Sequence, residues 1–240
     1  SFIEMAPFLY QESYGSAQIR GNADLQNGYN YNIDLRYELF EKNGDMLSIT
    51  AYYKHLKAPI ERVQTLSGGS AVHSFRNADN GMATGVEIEF RKEIVKDLRF
   101  GVNGSYMYTN VKLPEGGAYT NSQRALQGAS PYLANADLTY SPAFSNDRQL
   151  SVALLYNLQG PRIHSVGISG LGDIKQQPVH TLNFTGSYRF NRRFAVKLQV
   201  NDLLNQDILF KQEVPTTGDK VEVERFRKGT GFEVGFSYDL

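Results

Sequence analysis

The chain has 240 residues with 25 acidic and 25 basic side chains, so it carries no formal net charge and lacks the basic excess of a nucleic-acid binder. It has no Cys, which excludes a disulfide framework and a thiolate metal site. Apolar runs such as 152–156 fall far short of the roughly 18 residues of a membrane helix, and mean hydropathy is −0.41; membrane strands, only half apolar, stay allowed.

Residues 1–28 carry little pattern. Residues 5–10 (Met-Ala-Pro-Phe-Leu-Tyr) read as the upper end of a strand, followed by a loop rich in Gly, Asn and Gln. Regular alternation then begins. Tyr29, Tyr31, Ile33, Leu35, Tyr37 and Leu39 share one parity against Asn30, Asn32, Asp34, Arg36 and Glu38. The turn at 41–45 contains Asn43-Gly44, a hairpin signal. Leu47, Ile49, Ala51 and Tyr53 follow, and a longer polar segment at 58–72 holds Pro59 and Gly68-Gly69. The chain returns through Val86, Ile88 and Phe90, turns at 93–97, and climbs through Leu98, Phe100, Val102, Gly104, Tyr106 and Tyr108. A long loop at 112–128 leads to Tyr132, Ala134, Ala136, Leu138 and Tyr140; 141–148 is a turn. Leu150, Val152, Leu154, Tyr156 and Leu158 rise to the Gly-rich loop 160–177. Leu182, Phe184, Gly186, Tyr188 and Phe190 descend to the turn 191–193, and Phe194, Val196, Leu198 and Val200 climb again. Residues 202–225 are the last long connection, with a strand end near 208–210. The final strand sets Phe232, Val234, Phe236, Tyr238 and Leu240 against Glu233, Gly235, Ser237 and Asp239.

Alternate residues of a strand point to opposite faces. No position in these nine apolar rows is Asp, Glu, Lys or Arg, although 21% of the chain is charged. Lys or Arg on a lipid face costs roughly 2–4 kcal/mol at mid-membrane. The opposite parity does carry charge (Arg36, Glu87, Glu89, Lys197), as a wet interior permits. Short turns also alternate strictly with long loops, the asymmetry of outer-membrane barrels. The pattern predicts an all-β fold: an antiparallel up-and-down transmembrane β-barrel. A final strand that ends on apolar residues fits one that closes a lipid-facing wall. A soluble two-sheet or lipocalin-like barrel, with the apolar rows facing inward, is the competing reading. Another is a ten-stranded outer-membrane protease or lipase using residues 1–10 as its tenth strand.

Several stretches together resemble the C-terminal half of the barrel in TonB-dependent outer-membrane receptors. They are Gly21-Asn22-Ala23-Asp24-Leu25, the segment 77–90 with Gly85-Val86-Glu87, the segment 127–140 with Ser130-Pro131, and Val200-Asn201-Asp202-Leu203-Leu204-Asn205. Their style is closest to receptors of Bacteroides-like bacteria. The family usually ends in Phe, where this chain has Leu240. The resemblance implies that residues 1–240 are a C-terminal segment supplying nine or ten strands of a larger barrel, with the plug and the first strands outside it. It implies a bacterial outer-membrane location, contact with outer-membrane lipid and the barrel-assembly machinery, and TonB reached through the plug. The implied function is uptake of a scarce nutrient such as an iron chelate, haem, cobalamin or a glycan. No cofactor or catalytic group is expected.

Candidate ligand contacts, by position in the long loops, are Tyr119, Arg124, Arg162, His164 and Phe210. Phe232, Val234, Phe236, Tyr238 and Leu240 match the family's terminal assembly signal. His55, His73, His164 and His180 are scattered and read as solvated loop or lumen side chains. Glu87, Glu89 and Arg91 read as a lumen charge ladder, and the tyrosines near row ends as interface girdles.

Overall fold

The computed structural model describes residues 2–11, 18–41, 43–67, 70–113, 122–142, 144, 147–167 and 170–238, with the backbone alone for 2, 64–67, 70 and 71. In chain order the elements are α1 (Phe2–Met5), β1 (Leu9–Gln11), β2 (Gln18–Arg20), β3 (Tyr29–Phe40), β4 (Met46–Lys57), β5 (Ile60–Ser67), β6 (Ser70–Asn77), β7 (Asn80–Val95), β8 (Leu98–Lys112), β9 (Gln123–Arg124), β10 (Tyr132–Tyr140), β11 (Gln149–Gln159), β12 (Arg162–Ser165), β13 (Ile174–Gln176), β14 (Val179–Arg189), β15 (Phe194–Asn201), β16 (Ile208–Glu213), β17 (Lys220–Phe226) and β18 (Gly231–Tyr238).

They form a wall and a cap. The wall runs β3-β4-β7-β8-β10-β11-β14-β15-β18, every neighbour antiparallel and next in sequence among wall strands, with β9 added at the top of β8. Its short turns use local chemistry. Gly44 (φ 87°) and Asp97 (φ 66°) adopt the left-handed conformation tight turns require. The Asn191 carboxamide accepts from the amides of Arg193 and Phe194, each at 2.9 Å.

Register carries the apolar rows unbroken from strand to strand. Tyr37 faces Ile49 and Ile49 faces Ile88; Phe100 faces Leu138, Leu138 faces Leu154, and the row continues through Phe184, Val200 and Phe232. Directly opposed residues share a face, so one face is apolar across all nine strands. Leu35 is 76% and Phe232 74% exposed, and none of the three buried apolar clusters draws on the middle of these rows. The apolar band has charged or polar limits on the same face: His55, Lys57, Asn110 and Lys112 towards the long connections, Lys92 towards the turns. Roughly ten steps separate Met82 from Lys92, about 34 Å along a strand. At a tilt of about 45° that spans about 24 Å, the height of a barrel's apolar belt.

The other face is polar. Glu89 lies 2.5 Å from Arg91 and 3.9 Å from Arg36, the expected charge ladder. Asn135 donates to Asn103 (2.7 Å) and accepts from Asn157, a ladder across three strands. Gly85 sits here because a Cβ would meet the Tyr106 carbonyl at 2.4 Å and the Tyr52 hydroxyl at 2.6 Å.

The cap corrects the expectation of irregular long loops. Segments 58–72, 160–177 and 202–225 each contribute strands, giving two small sheets, β1-β2-β6-β5 and β12-β13-β16-β17. The segment foreseen as a strand end near 208–210 is the start of β16. Pairing within them is antiparallel except between β2 and β6. The parallel bridge Val63–Val166 joins the two sheets, and Val63, Ile163 and Val166 pack around it. The N-terminal expectation is also corrected. Residues 2–5 are helical, and Leu9–Gln11 pairs with β2 in the cap. It is not a tenth wall strand, so the ten-stranded closed barrel is not formed: β3 and β18 each keep an unpaired edge among the described residues.

Candidate functional site

The polar groups of the structure converge in the cap. β5 alternates Ile60 and the Arg62 side chain on one face with Glu61 and Val63 on the other, and the Val63 face is covered by β12 and the bridge at Val166. Glu61 is therefore carried inside, where it meets Arg124 of β9 in a fork-to-fork ion pair; their side chains are 2% and 4% exposed. The Arg124 Nη1 also donates to the Ala125 carbonyl (3.0 Å), and the Gln127 amide donates to Glu61 Oε1 (3.3 Å). Arg124 Nε, also buried, finds no partner.

A second cluster lies beside it. Arg62 Nε donates to His73 Nδ1 at 2.6 Å. Guanidinium has only donors, so that nitrogen is unprotonated and His73 is neutral. Burial and then the positive charge of Arg62 push its pKa down from 6.5 to about 3. The His164 ring packs edge-on against Phe210, centroids 4.8 Å apart, and 6.3 Å from the His73 ring. Gln127 fixes that strand, its side-chain amide donating to the His164 carbonyl at 2.6 Å.

Two openings reach these groups. A cleft of about 300 Å³ is lined by Arg62, Gln127, Arg162 and His164. A larger one, about 640 Å³, is lined by Tyr106, Tyr108, Arg124, Arg162 and Lys175. A third of about 660 Å³, at the turn end of the polar face, holds Arg189, Lys197, Ser187 and Ser237. At the paired ends of β16 and β17, Asp207, just before β16, is bonded by Arg225 and by Arg227, just after β17, with Glu222 on Arg225; these guanidiniums hold both carboxyls below the usual carboxylate range.

Of the candidate ligand contacts, Arg124 and Arg162 line one cleft, and Arg162 and His164 the other. Arg124 is spent on Glu61, however, and Phe210 is 6% exposed in the cluster with Ile174 and Ile208. Both are core side chains of the cap. Arg162 is half-buried, its Nε donating to Gln176 at 2.7 Å. Tyr119 lies outside the described residues, as does Leu240. Phe232, Val234, Phe236 and Tyr238 form an exposed row on the edge strand β18. The histidines depart from expectation: His73 is buried, while His55 and His180 fall on the apolar face, His180 bonded to the Tyr156 hydroxyl at 2.6 Å. No group of three metal-binding side chains forms among the described residues. Glu61, Arg62 and Lys175 went unmarked in the sequence, and His73 was marked only as solvated. The available signal was two alternating runs around Gly68-Gly69, which reads as a hairpin.

The model of the outer membrane protein β-barrel family matches residues 1–238. The structure is similar to the ferric enterobactin receptor of Pseudomonas aeruginosa in its G324V mutant form, at 16% identity and a TM-score of 0.58, covering 93% of this chain and 32% of that one. It is similar to the ferric yersiniabactin uptake receptor of Yersinia pestis, at 17% identity and a TM-score of 0.59, covering 89% and 30%. The copper transporter OprC gives 15% identity and a TM-score of 0.64, covering 95% and 34%. The chain spans about a third of the length of these structures, and at such identities the likeness is one of fold. Among curated proteins no sequence matches.

Proposed function

The chain belongs to the outer membrane protein β-barrel family and is a protein of the bacterial outer membrane, and from that premise we propose that it forms barrel wall and outer surface of a TonB-dependent receptor importing a scarce nutrient. The observation that carries this reading is the pairing of a lipid-facing wall with a folded cap holding cation-lined clefts. Structures similar to it over a third of their length are named for ferric chelates and copper. Those names favour a metal chelate over haem, cobalamin or a glycan. In this reading residues 1–240 are the C-terminal segment, and further strands pair with the free edges of β3 and β18, since bare backbone in hydrocarbon costs several kcal/mol per group. A plug outside these residues engages TonB, the exposed row on β18 addresses the assembly machinery, and the chain is not an enzyme. The Bacteroides-like style of the motifs belongs to the same reading.

The test is uptake by the source bacterium of ferric chelates carrying radioactive iron, with the gene intact, deleted, or intact in a strain lacking TonB. Uptake of at least one chelate falls to background in both mutants. Uptake unchanged across a panel including haem, cobalamin and glycans would sink the receptor reading.

A further inference from the structure

Among the described residues a single backbone bridge, Val63–Val166, joins the two sheets of the cap. Within the sheets pairing is continuous: β5 holds β6 from Ile60 to Ser67, and β16 holds β17 from Ile208 to Glu213 with one bulge. The bridge is parallel, and its Val166 amide donates to the Arg62 carbonyl at 3.2 Å. In a regular parallel ladder the next bond would run from the Arg62 amide to the His164 carbonyl. The Gln127 carboxamide stands in its place. Its oxygen accepts from the Arg62 amide, and its Nε2 donates to the His164 carbonyl at 2.6 Å. β5 and β12 are thus spread by one inserted side chain beside their bridge.

The segment carrying Gln127 is fixed to β5, because Arg124 and Glu61 form their buried ion pair and the Gln127 amide also donates to Glu61. Towards β12 it has the Gln127 side-chain bond and one from the Gly128 amide to the Ile163 carbonyl (2.8 Å). The Ser165 hydroxyl, fully buried beside the bridge, finds no partner. An unmet buried group penalises the closed seam, since water would satisfy it on opening. The cleft of about 300 Å³, lined by Gln127, Gly128, Ile163 and His164 among others, already enters the seam. Beneath lies the polar face of the wall. Leu126 packs against the cluster of Val111, Ala78 and Leu113, and Val111 faces Gly81 on the parity of Glu87. The cap therefore leans over the polar face, away from the lipid side.

We propose that the cap parts along the β5–β12 seam into two flaps, with the Gln127 carboxamide as the clasp, and so opens a way to the wall's polar face. One flap is β1-β2-β6-β5 with residues 122–131; the other is β12-β13-β16-β17. Each keeps its own ladder and its own buried side chains on parting, Ile19 in the first and Ile174, Ile208 and Phe210 in the second. Units joined by few bonds open locally, at a free energy below that of global unfolding. Service as an entrance rests on the receptor reading; the parting itself does not.

The test places single cysteines in the full-length protein in lipid vesicles and follows their labelling by a soluble maleimide, with the unsubstituted protein as blank. Val166→Cys, at the seam, labels at least about tenfold faster than Ile19→Cys or Ile174→Cys, buried inside the flaps, because fewer bonds break to expose it. Adding Gln127→Ala raises the Val166→Cys rate about tenfold again, the loss of one to two hydrogen bonds, and leaves the other two rates unchanged. Gln127→Glu, which accepts from Arg62 but when ionised cannot donate to His164, moves the rate the same way. Where a cysteine variant does not fold, hydrogen exchange of the unaltered chain gives the order, the Arg62 and Val166 amides exchanging ahead of those of β16. Equal labelling at the three sites, exchange of β16 before the seam, or a Val166→Cys rate indifferent to both Gln127 variants would each overturn the proposal. A V63C/V166C disulfide, formed in place, abolishes gene-dependent uptake, and reductant restores it. Gene-dependent uptake through the locked seam would overturn the entrance and leave the receptor reading standing.

Discussion

Wall and cap are built from the same alternation with opposite outcomes. In the wall the large apolar side chains stand outside, Leu35 at 76% and Phe236 at 72% exposure. In the cap they are inside, with Ile19 at 2% and Val63 and Val166 at 1%. Period two fixes only that two faces differ; the surrounding solvent fixes which face is turned to it. Hydrocarbon takes the apolar face of the wall, whereas water leaves the cap to bury its own. Substitutions of the same kind therefore have opposite consequences in the two regions.

The largest expected effect breaks the cap from inside. Glu61→Ala leaves the Arg124 charge buried and unpaired, which costs about 3–5 kcal/mol. Hydrogen exchange in a lipid-reconstituted sample reports it as early opening of β5, β9 and β12, with the wall unaffected. E61L/R124M, removing both charges, restores protection to near wild type; a double variant as open as the single one would show that the pair does more than neutralise itself. The next effect contrasts neighbours on one wall strand. Ile49→Lys costs roughly 2–4 kcal/mol in reversible folding into vesicles, and Thr50→Lys, on the face with Glu87, close to nothing. Equal costs would mean that the two faces share one environment, and the assignment of lipid and water would fall.

Acid separates the regions further. His73 is neutral in the folded cap and takes a proton more readily once unfolded, so its contribution is fully present above pH 6.5. It is lost as pH falls from 6.5 towards about 3. The slope is on the order of 1.4 kcal/mol per pH unit, so by pH 5 the cap opens about 2 kcal/mol more easily, and His73→Gln flattens that dependence in exchange experiments. The smallest effect is at a wall turn. The Glu93 amide donating to Asp45 at 2.9 Å lowers that carboxyl below its usual value, with help from Asn43. Its contribution is present above pH 3.8 and lost as pH falls below it. Asp45→Asn removes that acid step in a titration of the turn by NMR and leaves cap exchange unchanged.

Most of the wall was legible in the chain. All nine apolar rows lie in wall strands, although Phe190 falls one residue past β14 and Leu240 outside the described residues. The turns at Asn43-Gly44 and 191–193 sit where local chemistry puts them. Lys92 escaped notice because the row at Val86, Ile88 and Phe90 was read as ending before it; facing Phe100, it marks a limit of the band. The cap was less legible. Glu61 and Arg124 are 63 residues apart, and Val63 meets Val166 across more than a hundred. Nothing local distinguishes Arg124, which is buried, from Arg162, which borders two clefts. Phe210 looked like a loop aromatic available to a ligand and is core.

By itself the sequence determined the strands of the wall, their facing and the absence of charge on one side, because side-chain direction along a strand is set by the backbone every two residues. Only the tertiary structure decided that the long connections fold into two joined sheets, which of their charges pair, and where cationic clefts open. Those outcomes rest on contacts between distant segments, whose energies depend on burial that no short stretch of chain contains.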